Sequence, residues 1–262
     1  MDYQLKGKRA LITGSSKGIG KAAAKLLHEE GAEVILHGRS EQSVGPVLKE
    51  LRGAKAVYGD LANAEGAANV VRQTEAIGPV DILVNNAGIF EPKDFFQIPD
   101  EDWLRFYEVN VLSGVRLSRA LMPGMLERDW GRIIFISSES GINTPQEMIH
   151  YGMTKTAQLA VSRGLAELTK GTRVTVNSVL PGPTMSDGVD VFVESFARSQ
   201  NVDREKFEKE IFFKEARPTS LLQRFADPLE VAHMIVYIAS PLSSATNGAA
   251  LRVDGVGVKS II

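Results

Sequence analysis

A tyrosine and a lysine stand four apart in Tyr151-Gly152-Met153-Thr154-Lys155. Positions i and i+4 share one helix face, so both side chains reach the same place. A free tyrosine titrates near 10, too high for efficient proton exchange at neutral pH. An ammonium about 5 Å away, at an effective dielectric of about 20, favours the phenolate by about 3 kcal/mol, or about two pKa units. The pair therefore reads as an acid/base couple. Ser138 ends an apolar run just upstream, and its hydroxyl can donate to a substrate carbonyl oxygen beside Tyr151.

A second constellation binds phosphate. The run Lys8–Thr13 leads into Gly14-Ser15-Ser16-Lys17-Gly18-Ile19-Gly20 and then a helical pattern. Glycines at 14, 18 and 20 permit a tight turn, close approach of backbone to a pyrophosphate, and close packing of helix on strand. The helix N-terminus then offers free N–H groups and the positive end of its dipole. The spacing is G-x-x-x-G-x-G, and it is no nucleoside-triphosphate loop: Gly20-Lys21 lacks the glycine at 15 and the hydroxyl at 22.

These residues need a scaffold, and the alternation of patterns supplies it. Strands are expected at Lys8–Thr13, Glu33–His37, Ala54–Gly59, Val80–Asn85, Arg132–Ser137, Arg173–Leu180 and Ala250–Val253. Helices are expected at Gly18–Glu30, on to Leu51, Glu65–Ala76, Trp103–Arg128, His150–Lys170 and Pro228–Ser240. Near-continuous Val/Ile/Leu strands alternating with helices imply a doubly wound, mostly parallel α/β sheet of the Rossmann type, with helices on both faces. One domain spans 1–262, and Thr184–Asp227 interrupts the alternation as a substrate lid inserted over the sheet's carboxyl edge.

Composition agrees. The 262 residues carry 30 basic and 32 acidic side chains, a net charge of −2, and 44% hydrophobic residues. Lys and Arg are dispersed, so no nucleic-acid partner is expected. The chain has no cysteine, which excludes disulfides, thiolate nucleophiles and zinc–sulfur sites. No apolar run approaches the length of a membrane span, and the first residues lack the apolar core of a signal peptide, so a cytoplasmic protein is expected.

At the end of the second strand stands His37-Gly38-Arg39-Ser40, where a carboxylate would bind the 2′-hydroxyl of NAD. With Arg39 there and Lys17 in the glycine loop, a 2′-phosphate is favoured, so NADP(H) is expected ahead of NAD(H). His28, His37 and His233 lack metal spacing, and no metal site is expected. His150, Asn177 and the face Met153, Ala157, Val161, Leu165 read as structural, the last as core or subunit contact. Glu139 reads as a solvated loop residue.

The whole pattern resembles the short-chain dehydrogenase/reductases, in their compact one-domain branch. Gly14 to Gly20 is similar to that family's cofactor loop, and Asp60-Leu61 to its adenine contact. Asn85-Asn86-Ala87-Gly88 matches the family's turn after the fourth strand, and Pro181-Gly182, followed by Thr184, the floor beneath nicotinamide. Asn110, Ser138, Tyr151 and Lys155 match its catalytic set. The resemblance implies that Asn110 holds a water linking Lys155 to solvent, and that Lys155 binds the nicotinamide ribose. It also implies a homodimer or homotetramer paired through Trp103–Arg128 and His150–Lys170. One departure is Asp254-Gly255-Val256-Gly257, where adjacent glycines are usual.

The expected activity is that of an NADPH-dependent carbonyl reductase, or alcohol dehydrogenase in reverse, on a small-molecule ketone. Alternatives are a 3-oxoacyl-[acyl-carrier-protein] reductase and a non-catalytic dinucleotide-binding sensor. The mixed charges of Glu127-Arg128-Asp129 weaken the carrier-protein reading, since an acidic carrier prefers a basic patch. Nucleotide-sugar epimerase chemistry would need a second substrate domain. Six of the eleven phenylalanines fall in 186–225, with Phe90, Phe95 and Phe96 at the same sheet edge. They suggest an apolar pocket, with Asp203–Lys214 as an amphipathic helix and Phe212 and Phe213 reaching the site.

Overall fold

The computed structural model describes residues 2–199 and 201–260. Among them, seven strands form one sheet: β1 Arg9–Ile12, β2 Glu33–Gly38, β3 Lys55–Tyr58, β4 Ile82–Asn85, β5 Gly131–Ile136, β6 Val174–Pro181 and β7 Ala250–Val253. The order is β3-β2-β1-β4-β5-β6-β7 and every pairing is parallel. The expected doubly wound Rossmann sheet is therefore present, with strand ends moved by no more than two residues. The chain winds outward from β1 to β3, then restarts at β4 beside β1. Loops leaving β1 and β4 consequently diverge, opening a crevice at the carboxyl edge where such folds bind ligands.

Helices are α1 Gly18–Glu29, α2 Glu41–Glu50, α3 Ala64–Ile77, α4 Asp100–Tyr107, α5 Ser113–Glu127, α6 Ile149–Glu167, α7 Asp187–Ser199 and α8 Pro228–Ala239. Successive strand residues point to opposite faces. Ala10 and Ile12 therefore pack with α1, α2 and α8, while Leu11 joins the opposite core with α3, α5 and α6. Both faces of the sheet are covered, as the unbroken apolar strands require.

Two expected helices differ. Trp103–Arg128 is not one helix: a wide π turn at Glu108–Leu112 separates α4 from α5. There the N–H of Ser113 reaches back to the carbonyl of Glu108, and the Ser113 hydroxyl donates to the Val109 carbonyl at 2.5 Å. Such bulges gather at functional sites, and this one carries Asn110. In the insertion, α7 was not anticipated, and Asp203–Lys214 forms only one short α turn, Arg204–Lys206, before a π coil over Phe207–Ala216. The insertion closes at its base, where Thr184 bridges Ala226.

Arg132 begins the hydrogen-bonded core of β5 and is 1% exposed. Its guanidinium donates to the carbonyls of Ser240 (3.3 Å), Gly131 (2.8 Å) and Arg173 (2.9 Å) and lies 4.6 Å from the Trp130 ring centre. Burial pulls its pKa down to about 10. Arg132→Met would strand these carbonyls. The expected loss is about 2–4 kcal/mol of stability, read as a fall in midpoint by urea unfolding. An unchanged midpoint would mean that the carbonyls find other donors.

Candidate active site

Ser138, Tyr151 and Lys155, the trio expected to be catalytic, come together at the carboxyl end of β5. Ser138 follows the strand, caps the short turn Glu139–Gly141 by accepting the Ser140 N–H at 3.1 Å, and is hydrogen bonded to Tyr151. Tyr151 and Lys155 lie one turn apart on α6, with Lys155 Nζ 5.5 Å from the phenol ring centre. Phe90 meets the Tyr151 ring edge-on at 6.4 Å.

The acid/base electrostatics differ from the sequence expectation. Burial pushes the Tyr151 phenol up to about 12, with the Ser138 hydrogen bond opposing and Glu139 adding to the rise. Burial also pulls Lys155 down to about 7. The Coulomb argument omitted desolvation, which disfavours the charged form of both groups. In addition, Lys155 Nζ donates to the Ile136 carbonyl at 2.9 Å and to Gln158 Oε1 at 3.2 Å. In the free protein burial therefore outweighs the neighbouring lysine, and the tyrosine is not lowered.

Asn110 has no solvent exposure. Its Nδ2 donates to the Ile89 carbonyl (3.0 Å) and Thr154 Oγ1 (2.9 Å), and its Oδ1 accepts the Ile89 N–H at 2.8 Å. The side chain thus fixes the loop after Gly88 against α6. Asn110 meets Lys155 indirectly: its main-chain carbonyl accepts Gln158 Nε2 at 2.6 Å.

The glycine loop is built as the spacing requires. Gly14 and Gly18 have left-handed backbones, with φ of +62° and +55°. A Cβ on Gly14 would come within 3.1 Å of Ala87 Cα, and one on Gly20 would strike Asn86 Nδ2 and the Gly14 carbonyl. Thr13 Oγ1 accepts the N–H groups of Asn86 (2.8 Å) and Ala87 (2.9 Å), so the loops after β1 and β4 are tied together. The α1 N-terminus has no capping bond from the Lys17 side chain and no acidic residue in its first turn. Left-handed glycines and a helix N-terminus with no local side-chain cap fit a dinucleotide's pyrophosphate. Ser16 and Ile19 lie in the same loop, half-exposed, and Lys17 and Arg39 are exposed. Asp60 Oδ1 accepts the Ala62 N–H at 3.0 Å, Leu61 beside it is buried, and Gly88 lies against Asn110 and Lys155. The Gly182 N–H donates to the Val253 carbonyl at 3.0 Å, and Thr184 Oγ1 donates to the Gly182 carbonyl at 2.9 Å.

Four residues gain roles that their sequence positions did not announce. His37 is buried; its Nδ1 accepts the Gly14 N–H at 3.1 Å and its Nε2 lies 3.1 Å from the Gly59 carbonyl. Those partners select the neutral tautomer protonated at Nε2, and burial holds the pKa below the usual histidine value. Gln158 follows Lys155 by one turn, which was its only sequence signal. Glu139 is not solvated: it is 6% exposed, and burial raises its carboxyl pKa, with Arg217 opposing and Asp254 and Glu147 reinforcing. Asp187, from the insertion, accepts the Gly18 N–H at 2.8 Å.

The aromatic expectation is corrected too. Phe207 and Phe213 are buried with Val193, Ala197 and Phe225 in a cluster internal to the insertion. Phe212 lies tilted against Phe225 at 4.7 Å and meets Phe213 edge-on at 4.9 Å. These rings satisfy one another because the π coil turns Phe212 and Phe213 back on Phe225. His150 is buried with its ring 4.1 Å from that of Phe106, and neither ring nitrogen has a hydrogen-bond partner among the described residues. No cluster of metal-ligating side chains occurs among the described residues.

A parallel Rossmann sheet with a glycine loop and a Ser-Tyr-Lys trio at one edge defines a nicotinamide-type oxidoreductase architecture. The family model described as short chain dehydrogenase matches residues 8–195. An uncharacterized oxidoreductase, YvaG, of Bacillus subtilis is 50% identical over the full length of both chains. The 3-oxoacyl-[acyl-carrier-protein] reductase FabG of Vibrio cholerae is 34% identical, covering 96% of this chain and 97% of its own. L-Sorbose reductase from Gluconobacter frateurii, solved with NADPH and L-sorbose, superposes with a TM-score of 0.93 at 31% identity, all of each chain being covered. The chain belongs to the short-chain dehydrogenase/reductase family and is an oxidoreductase of it.

Asp187 and a pyrophosphate would compete for the α1 N-terminus. Asp187→Ala is expected to lower the Kd for NADPH about threefold to tenfold, measured by cofactor fluorescence. A weaker Kd would show that Asp187 instead holds the insertion closed over bound cofactor.

Proposed function

We propose that the chain is an NADP(H)-dependent carbonyl reductase, acting on a ketone or, in reverse, a secondary alcohol. The observation that carries this reading is the convergence of Ser138, Tyr151 and Lys155 beside the glycine loop. Gly14, Ser16, Lys17, Gly18, Ile19 and Gly20 would hold the cofactor phosphates, and Arg39 with Lys17 the 2′-phosphate. Asp60 and Leu61 would bound the adenine, and Asn86, Ala87, Gly88, Pro181, Gly182 and Thr184 the nicotinamide end. When bound, the reduced nicotinamide supplies the hydride. Ser138 donates to the carbonyl oxygen and orients it, and Tyr151 delivers the proton that this oxygen takes up. Lys155 binds the ribose and supports the phenolate left on Tyr151, and Asn110 positions the loop and helix around it.

Glu139 and the arrangement of the aromatics favour a substrate with hydroxyl groups beside its carbonyl. The insertion, 184–227, serves as the lid, but its rings pack on each other. The carboxylate of Glu139 instead lies close enough to act on Tyr151, with Arg217 near it and paired to Glu147 at 2.9 Å. The likeness to a reductase solved with L-sorbose supports the same class. A carrier-protein substrate is disfavoured, because Arg173 and Arg128 are paired with Asp129 (3.0 Å) and Asp81 (3.8 Å). The intact trio speaks against a non-catalytic sensor. A homo-oligomer is supported by the partly exposed apolar residues Leu126, Val161, Leu165 and Leu168 between α5 and α6. No described helix is long and apolar enough to cross a membrane, and we place the protein in the cytoplasm.

The test is turnover with NADPH across hydroxylated and plain ketones of matched size. Hydroxylated ketones should react with the higher kcat/KM, and Tyr151→Phe should lose about 10²–10⁴-fold. Turnover of neither class, or near-normal turnover by the variant, would overturn the proposal.

Cofactor preference is tested separately. Arg39→Ala should raise the KM for NADPH about tenfold to a hundredfold and leave that for NADH nearly unaltered. A wild-type preference for NADH would remove the 2′-phosphate reading.

A further inference from the structure

Lys155 is 5% exposed, and burial is the one influence on its protonation, with no charged group acting on it. A buried ammonium needs acceptors in place of water. Two are present: the Ile136 carbonyl at 2.9 Å and Gln158 Oε1 at 3.2 Å. Gln158 is 1% exposed and donates its Nε2 to the main-chain carbonyl of Asn110 at 2.6 Å. The amide cannot be turned over, because its nitrogen would then face the ammonium and its oxygen the carbonyl. A directed chain therefore runs from Lys155 through Gln158 to Asn110 in the π turn. Each bond polarises the next, and the amide becomes a stronger acceptor by giving its own N–H away.

We propose that Gln158 is a positioning residue of the catalytic lysine, holding its ammonium in charged form and aiming it at the tyrosine. The inference rests on the role given above to Lys155. An ammonium has three N–H groups. Ile136 and Gln158 engage two of them, which leaves one for the side of the phenol and the cofactor ribose. The groups packed around Lys155 are the main chain of β5, Tyr151 on its own helix, and Asn110 from the π turn. The Glu139 carboxylate acts on Tyr151 and not on Lys155. Gln158 thus supplies the acceptor that no acidic side chain provides, without adding a negative charge that would further oppose phenolate formation.

Two variants test this with opposite signs. Gln158→Met keeps the length and bulk but removes the acceptor, and Gln158→Glu places an anion there. Competitive acetylation of the cofactor-free protein, read by mass spectrometry, follows the titration of Lys155 without any turnover. It should move down by about one pH unit in Gln158→Met and up by at least that in Gln158→Glu. The basic limb of kcat for ketone reduction should move in the same two directions, so the loss in Gln158→Met grows with pH. If both variants lose a constant factor at every pH and Lys155 titrates as in wild type, Gln158 only packs and the proposal falls. If wild type reduces no carbonyl, the reading of the reaction fails, while the acetylation titration still decides the role of Gln158.

Discussion

The burial of one ammonium constrains the rest of this site. Lys155 sits under the carboxyl edge of the sheet, where its charge is costly unless acceptors surround it. The Ile136 carbonyl is available only because β5 ends there, and Gln158 only because α6 runs on for another turn. Asn110 can take the other end of Gln158 because the helix before α5 widens into a π turn. Strand end, helix and bulge are thus three parts of one solution to placing a cation beside a tyrosine.

The neighbouring crevice shows a related economy of charge. The glycine loop is held by neutral groups: the Thr13 hydroxyl, the Asn86 amide and the Nδ1 acceptor of His37. None of them neutralises the positive end of α1. Asp187 in the insertion places an anion on that terminus. Lys17 and Arg39, the cations proposed to meet a 2′-phosphate, stand further out and are exposed. The turn Asn86–Gly88 thereby joins the glycine loop to the Ser138, Tyr151 and Lys155 end of the sheet edge.

The elements and the main site residues were legible because both rest on local spacing. Gly14, Gly18 and Gly20 need only a strand before and a helix after, and Tyr151 and Lys155 need only one helical turn. His37 and Asp187 were not legible, because their partners are brought close by the fold; Asp187 lies 169 positions from Gly18. The π turn at Glu108–Leu112 leaves no signature in an apolar pattern that also suits a continuous helix. The same ambiguity misled the reading of Asp203–Lys214 as an amphipathic helix, although the chain coils more widely from Phe207. Glu139 was misread for a different reason: a charged residue after a strand is usually solvated, and the C-terminal turn at Gly257 covers this one.

Burial leaves Tyr151 a weak acid in the free protein, its phenol pushed up to about 12, and the proposed proton transfer calls for a bound cofactor to bring it down. Carbon-13 labelling of tyrosine Cζ, with Tyr151→Phe to assign the signal, measures this by NMR titration. The account predicts no ionisation of Tyr151 below about pH 10 in the free protein, and a fall of at least about two units when NADP⁺ is bound. A Tyr151 that already ionises near neutral pH in the free protein would contradict it.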